Sequence, residues 1–272
     1  MEQIKKKITI ITVVKNAQYT LENCIKSVLA QNYNNLEYII IDGNSSDGTK
    51  EILNKYKNNI SKIITEKDDG IWDAMNKGIK IASGDLIGIL NADDYYNNEA
   101  FSHVIKTYNL SSKKKTIIYG DMFNEYDQTK VLSFGDLSND AFKKGIFQIN
   151  HPTVFVPRSL YEHIGFFNIN FSTGADREFI LRAHGNNANF VKIDKPLATF
   201  RLGGFTSVYN FKIIFDRTIE EFNILKKYYS NIFALKVALK KFYRMTRNNF
   251  YYNIYGYNNF LKARIKKLST ND

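Results

Sequence analysis

Asp93 and Asp94 directly follow the apolar run Leu86-Ile87-Gly88-Ile89-Leu90. Two adjacent carboxylates at the end of a strand repel each other unless a proton or a cation relieves them. A hard divalent ion with oxygen ligands, completed by substrate phosphates, meets that demand; a solvated turn with a helix cap is the structural alternative. Two further segments carry residues of the same kind. Asp42-Gly43-Asn44-Ser45-Ser46-Asp47-Gly48-Thr49 follows the apolar run Leu36–Ile41, and its Gly, Asn and Ser residues permit tight turns and close approach of a ligand. Asp68-Asp69-Gly70-Ile71-Trp72-Asp73-Ala74-Met75-Asn76-Lys77-Gly78 puts carboxylates and an amide around a helix start. Trp72 suits either of two jobs, stacking on a sugar or filling the core beneath that helix.

These segments need elements to hold them. Ile8–Val14 and Leu36–Ile41 are short apolar runs rich in β-branched residues, and Ser61–Thr65 and Leu86–Leu90 continue the series as strands. Between them Thr20 is placed to cap a helix with apolar residues at Leu21, Cys24, Ile25, Val28 and Leu29. Further helices are predicted from Thr49 to about Lys57 and from Ile71 to Ala82. Such alternation argues for an α/β fold, a parallel sheet covered by helices on both faces, with ligands at the carboxyl ends of its strands. The polar segments after the first, second and fourth strands fall at those ends. From Ile117 the pattern is less regular: Ile117–Tyr119, Met122–Tyr126 and Val131–Phe134 read as strands, with Asp127-Gln128 as a hairpin tip. Helices are predicted over Ala175–Gly185, from Phe211 to about Tyr229, and over Ile232–Lys267.

Taken together, in this order and spacing, the segments resemble the family 2 glycosyltransferases of the GT-A fold, of the kind that builds bacterial surface polysaccharide, lipopolysaccharide included. The resemblance runs from residue 8 to about 205. It rests on Thr12-Val13-Val14-Lys15-Asn16, Ile41-Asp42-Gly43-Asn44-Ser45-Ser46-Asp47-Gly48-Thr49, Asp69 to Gly78 and Leu90-Asn91-Ala92-Asp93-Asp94. It implies a GT-A domain over 1–210, a UDP-sugar donor, a glycan or lipid-linked acceptor, and a divalent metal, Mn2+ or Mg2+. By the same resemblance Thr12, Val14 and Asn16 line the nucleotide pocket, Asp42 meets the base, and Asp69, Trp72, Asn76, Asn91 and Ala92 join the donor site. Asp93 would hold the metal, with Asp94 and His151 as further ligand candidates. Asn91 stands at the first position of the family's Asp-x-Asp and lacks the carboxylate charge expected there. The family inverts the anomeric centre by direct displacement, which needs a base for the acceptor hydroxyl. Asp176, in Thr173-Gly174-Ala175-Asp176-Arg177-Glu178, matches the family's catalytic carboxylate; Glu178 is the rival, and Arg201 falls where similar proteins face the acceptor.

Other readings are narrower. A Gly-x-x-x-x-Gly-Lys-Ser/Thr loop and a Gly-x-Gly-x-x-Gly after the first strand are both absent, which removes P-loop kinases and ATPases and dinucleotide enzymes. A nucleotidyltransferase would carry a Gly-rich basic loop where Lys15-Asn16-Ala17 stands. A catalytically inactive nucleotide-sugar-binding protein is suggested by Asn91 alone.

The 272 residues, 44% hydrophobic, suffice for a full core. The lone Cys24 suits a buried structural thiol in a reducing compartment. The apolar run after Met1–Lys7 is shorter than a signal peptide or span requires, so a cytoplasmic protein is expected, peripheral on the inner face of the membrane if its tail docks there. Charge divides unevenly. Residues 211–272 hold 13 Lys/Arg and 4 Asp/Glu, leaving 25 against 23 in residues 1–210. This basic, aromatic helical extension is expected either to meet a membrane surface or to pack on the domain, and no motif supports nucleic-acid binding.

Overall fold

Ile8–Val14 (β1) is buried at every position, so its alternating side chains must be covered on both faces. Ile8, Ile10 and Val14 pack with helix Leu21–Leu29 (α1), whose Leu21, Cys24, Ile25 and Val28 face the sheet as their spacing predicts. Ile11 and Val13 point the other way, toward the cluster that holds Trp72, Met75 and Ile79. Truncating one of these fully buried side chains to Ala costs about 2–5 kcal/mol. The computed structural model describes residues 6–111, 115–202 and 210–269; Met1–Lys5 and the Gly203-Gly204 pair lie outside them.

The chain continues through Leu36–Asp42 (β2), Thr49–Tyr56 (α2), Lys62–Thr65 (β3), Ile71–Ile81 (α3) and Leu86–Asn91 (β4). It then passes through Tyr95–Tyr96 (β5), Ala100–Leu110 (α4), Thr116–Tyr126 (β6), Thr129–Ser133 (β7) and Asn139–Lys144 (α5). Phe155–Pro157 (β8), Arg158–Ile164 (α6), Ala175–Gly185 (α7), Asn189–Arg201 (β9), Phe211–Leu225 (α8) and Asn231–Ser269 (α9) complete it. The sheet order is β3-β2-β1-β4-β8-β6-β9-β5, with β7 on β6. β3, β2, β1 and β4 run parallel, as do β6 and β9, whereas β8, β7 and β5 are antiparallel to their neighbours. The fold is thus α/β of GT-A type with a parallel half and a mixed half.

Chain connections from β1 lead outward to β2 and β3 on one side, while β4 pairs on the other. β1 and β4 therefore flank a topological switch point, where the loops at their carboxyl ends diverge and leave a crevice. Val13 and Asn91 sit side by side across that junction. Gly78 lets α3 close on β1, because a Cβ there would lie 2.4 Å from Ile11 Cγ2.

Two local expectations differ from the structure. Thr20 makes no side-chain cap, and α1 starts on the backbone bond from Leu21 N–H to Ala17 O at 3.0 Å. The two strands predicted over residues 117–126 are one strand, β6, with a register irregularity at Gly120–Met122. Asn150 and Thr153 donate to the Gly120 carbonyl there, so the irregularity is hydrogen-bonded rather than broken. The hairpin tip at Asp127-Gln128 is as predicted, both residues having positive φ (49° and 63°). Residues 211–269 share the main core through Ile224, Leu225 and Ala234.

Candidate active site

The loop after β1 is shaped by the loop after β2. Asn16 adopts φ 53°, its N–H donates to Ser45 Oγ at 2.8 Å, and its Oδ1 accepts from Ser46 N–H at 2.8 Å. Ala17 N–H donates to Thr49 Oγ1 and Gln18 N–H to Asp47 Oδ2, at 2.9 and 3.1 Å. Most of the polar run Asp42–Thr49 is therefore spent on holding Asn16–Gln18. Asp42 Oδ1 accepts from Ser45 N–H and Oγ, while its Oδ2 is buried and unpaired. Gly43 lets the Asp68 carboxylate approach the backbone: a Cβ would stand 2.2 Å from Asp68 Oδ2, and that side chain would have to move.

A pocket of about 750 Å³ opens at the switch point. Val13–Ala17, Tyr19 and Thr20 form one side, Asp68–Trp72 and Ala74 the base of α3, and Asn91–Asp93 the end of β4. Ile169, Phe171, Ser172 and Phe200 close it from the second half of the chain. Gly70, with φ 116°, gives the turn into α3; its N–H donates to Asp68 Oδ1, and Asp69 N–H donates to Asp73 Oδ2. Of the residues expected at a donor site, Val14, Asn16, Asp69, Trp72, Asn91, Ala92 and Asp93 line this pocket. Thr12, Asp42 and Asn76 lie behind its wall. Thr12 Oγ1 bonds Tyr38 Oη at 3.1 Å inside the core. Asn76 clamps the Phe167 backbone, donating to its carbonyl at 2.8 Å and accepting from its N–H at 3.0 Å.

Trp72 fills the core beneath α3 and also lines the pocket. It is 9% exposed and packs on Phe167 at 5.2 Å between centroids, yet it faces the pocket. Its Nε1–H donates to Ser172 O at 3.2 Å, so the tryptophan also fastens the outer wall.

At the end of β4 the electrostatics are unbalanced. Asp94 is fully buried; its Oδ1 accepts from Arg201 N–H at 3.1 Å and its Oδ2 is unpaired, as is the buried Asn91 Oδ1. Burial pushes the Asp94 carboxyl well above the usual carboxylate range, and the neighbouring Asp93 adds to it. Burial also raises Asp93, against the pull of Arg201. Unpaired hard oxygens beside a carboxylate that faces the pocket fit a divalent cation whose remaining ligands come from a diphosphate. Among the described residues, no cluster of three or more His, Cys, Asp or Glu forms a cage for a metal, so the chain by itself offers only a partial shell.

Asp176, in the first turn of α7, lines a separate cavity of about 20 Å³ with His151, Ile89, Ile149, Tyr161 and Phe179. That is room for about one water. Burial raises the Asp176 carboxyl, with His151 pulling it back, and burial lowers the His151 imidazole, whose Nε2 is unpaired. Trp72 and Phe167 stand between this cavity and the large pocket; the Trp72 and His151 rings meet edge to face at 6.1 Å. His151 thus accompanies Asp176, not Asp93. Glu178 is a structural lock: it pairs with Arg182 at 3.1 Å and accepts from Tyr228 Oη at 2.9 Å. Arg201 spends its Nε on Glu125 at 3.5 Å and lays its guanidinium over Tyr95.

Sequence reasoning missed Lys15, Tyr19, Asp68 and the wall residues Ile169, Phe171, Ser172 and Phe200. Asp68 and Lys15 lie inside quoted segments, so position was a usable signal. The wall residues come together only through tertiary contacts.

Comparison with known proteins agrees with this geometry. The family model described as "Glycosyl transferase family 2" matches residues 9–164, more than half of the chain. A "PGL/p-HBAD biosynthesis glycosyltransferase" of Mycobacterium bovis (strain BCG / Pasteur 1173P2) is 29% identical over 184 residues, 66% of this chain and 70% of that protein. The Escherichia coli "UDP-Glc:alpha-D-GlcNAc-diphosphoundecaprenol beta-1,3-glucosyltransferase WfaP" is 34% identical over 123 residues, 44% of this chain and 47% of that protein. Among solved structures, S. aureus TarS 1–349 in complex with UDP-GlcNAc superposes with a TM-score of 0.67 at 17% identity, covering 91% of this chain and 76% of that one. Mannosyltransferase PcManGT from Pyrobaculum calidifontis, in complex with GDP-Man and Mn2+, gives 0.61 at 13% identity, covering 87% and 74%.

Proposed function

The chain belongs to glycosyl transferase family 2, and from that premise we propose that it moves a sugar from a UDP-sugar to a glycan or lipid-linked acceptor with inversion at the anomeric carbon. The observation that carries this reading is the pocket of about 750 Å³ at the β1/β4 switch point, with Asp69 and Asp93 in its wall. UDP is favoured as the carrier because TarS was solved with UDP-GlcNAc and the E. coli relative is named for UDP-Glc. The lipid-linked acceptor follows from the diphosphoundecaprenol in that same name.

In this reading the Asn16 loop, braced from behind the pocket wall by Asp42 through Ser45, receives the nucleoside, and the diphosphate lies toward Asp93. Asp93, aided by Asn91 and Asp94, would hold a divalent ion, which would supply Lewis acidity toward the leaving diphosphate. Mn2+ in the PcManGT complex supports that choice. The acceptor oxygen attacks the anomeric carbon as the bond from that carbon to the diphosphate oxygen breaks, and the acceptor's proton passes to the Asp176 carboxylate. Its burial raises its proton affinity against the pull of His151, as suits a general base. Trp72 and Phe167 part the two cavities, so in this reading the acceptor hydroxyl has to reach Asp176 past these two side chains.

The test is UDP release from a panel of UDP-sugars, with GDP-mannose as control, in Mn2+, Mg2+ or EDTA, with the product anomer read by NMR. Metal-dependent release with an inverted product is expected. Retention of configuration, or turnover undiminished by EDTA, would overturn the corresponding part of the proposal.

A further inference from the structure

Helices α8 and α9 carry two apolar faces, and among the described residues only one of them is packed within the protein. On the inner side Ile214, Ile224, Ala234, Ala238 and Met245 are buried, and the helices are fastened by charge. Glu221, 3% exposed, pairs with Arg177 Nε at 2.7 Å and with Lys241 Nζ at 2.8 Å. On the outer side α8 shows Phe211, Phe215 and Ile219 at four-residue spacing, 63%, 56% and 43% exposed. α9 shows Ile232, Leu235, Leu239, Tyr243, Phe250 and Ile254, each at least half exposed. Their spacing keeps them on one side of the helix, and the Phe211 ring meets Phe242 at 6.2 Å, joining the start of α8 to this part of α9. Isolated exposed apolar residues are ordinary, but a stripe of this length marks a surface that something covers.

The charge says what covers it. α9 contains no Asp or Glu, while Lys236, Lys240, Arg244 and Arg247 are exposed beside the stripe. A second copy of this face would set like charges against like. An anionic lipid surface takes both features, the apolar row entering the acyl boundary and the Lys and Arg heads meeting phosphates. No helix among the described residues is long and apolar enough to cross a membrane, so the helices lie in the interface. We propose that the outer face of α8 and α9 docks the protein on an anionic lipid bilayer.

The location gives the docking a use, which rests on the lipid-linked acceptor proposed above. Glu220 of α8 accepts four hydrogen bonds from Ser172 and Thr173 at the pocket wall, and Glu221 binds Arg177, the residue after Asp176. The helices that would touch lipid are the ones that hold the acceptor side of the site.

Cosedimentation of the full chain with phosphatidylcholine vesicles, with and without phosphatidylglycerol, tests the docking. Binding is expected only with the anionic lipid. K236Q/K240Q/R244Q should weaken it on the order of a hundredfold, and L235D/L239D at least about tenfold. Both variants alter exposed side chains, and an unchanged melting temperature checks that they fold. Equal binding to both vesicle types, undiminished binding by L235D/L239D, or no binding at all would overturn the proposal. So would a concentration-dependent dimer in sedimentation velocity that L235D/L239D abolishes, which would assign the face to a second copy. UDP binding, followed by thermal shift on the same samples, reads the donor site separately, so failure of docking and failure of the proposed activity are distinguishable.

Discussion

Glu220 Oε2 accepts hydrogen bonds from both the backbone N–H and the hydroxyl of Ser172, at 2.5 and 2.9 Å. Its other oxygen does the same for Thr173, at 3.0 and 3.1 Å. Ser172 in turn accepts from Trp72 Nε1–H, so one carboxylate on α8 fixes the pocket wall as far as α3. Gly174 follows because a Cβ there would crowd Ile224 Cδ1 at 2.7 Å.

Replacing Glu220 by Gln should loosen this wall, since an amide puts a donor where two donors already point. Trp72 is the only tryptophan and reports the change directly. Acrylamide quenching of its fluorescence should rise in E220Q. Stability should fall by about 1–3 kcal/mol in urea unfolding, and KM for the acceptor should rise more than kcat falls. Unaltered quenching would show that the wall does not depend on Glu220.

Glu221 tests how the extension is held. Burial works against its charge, but Arg177 and Lys241 keep the carboxyl below its ordinary range. A carboxyl depressed in the folded state stabilises the protein above its unfolded value and loses that contribution as pH falls through the folded one. E221A should cost about 3–5 kcal/mol at neutral pH by leaving two partly buried cations unpaired. It should also flatten the acid limb of the stability profile. A loss under about 1 kcal/mol would mean the ion pairs are solvated in solution.

Asp176 sets a kinetic expectation. A general base acts deprotonated, and burial raises this one, so kcat/KM should climb with pH through a value above that of an ordinary aspartate. D176N should lower transfer by about 10²–10⁴ and remove that limb while leaving UDP affinity unchanged. Transfer by D176N within about tenfold of wild type would exclude it as the base.

Much of this was legible from residue pattern, and the exceptions have physical reasons. β1 and β2 are buried on both faces and so read as uninterrupted apolar runs. β9 was missed because Lys192, Asp194, Lys195 and Pro196 interrupt its pattern, and its order comes from pairing with the distant β6. β8 has three residues, too few for any period to show. In the site, the carboxylates could be located because a repelling pair after a strand is a local feature. That Asp42 and Asn76 work from behind the wall could not be foreseen, since it depends on where Ser45 and Phe167 arrive.

The proposed function stands on nucleoside diphosphate binding in the switch-point pocket through Asp93 and a divalent metal. Titrating UDP into the protein while following Trp72 fluorescence, with Mn2+ or with EDTA, tests it most directly. A saturable change that requires Mn2+ and is lost in D93N is expected, with the melting temperature of the unliganded variant close to that of wild type. A saturable change of equal affinity in EDTA or in D93N would contradict it.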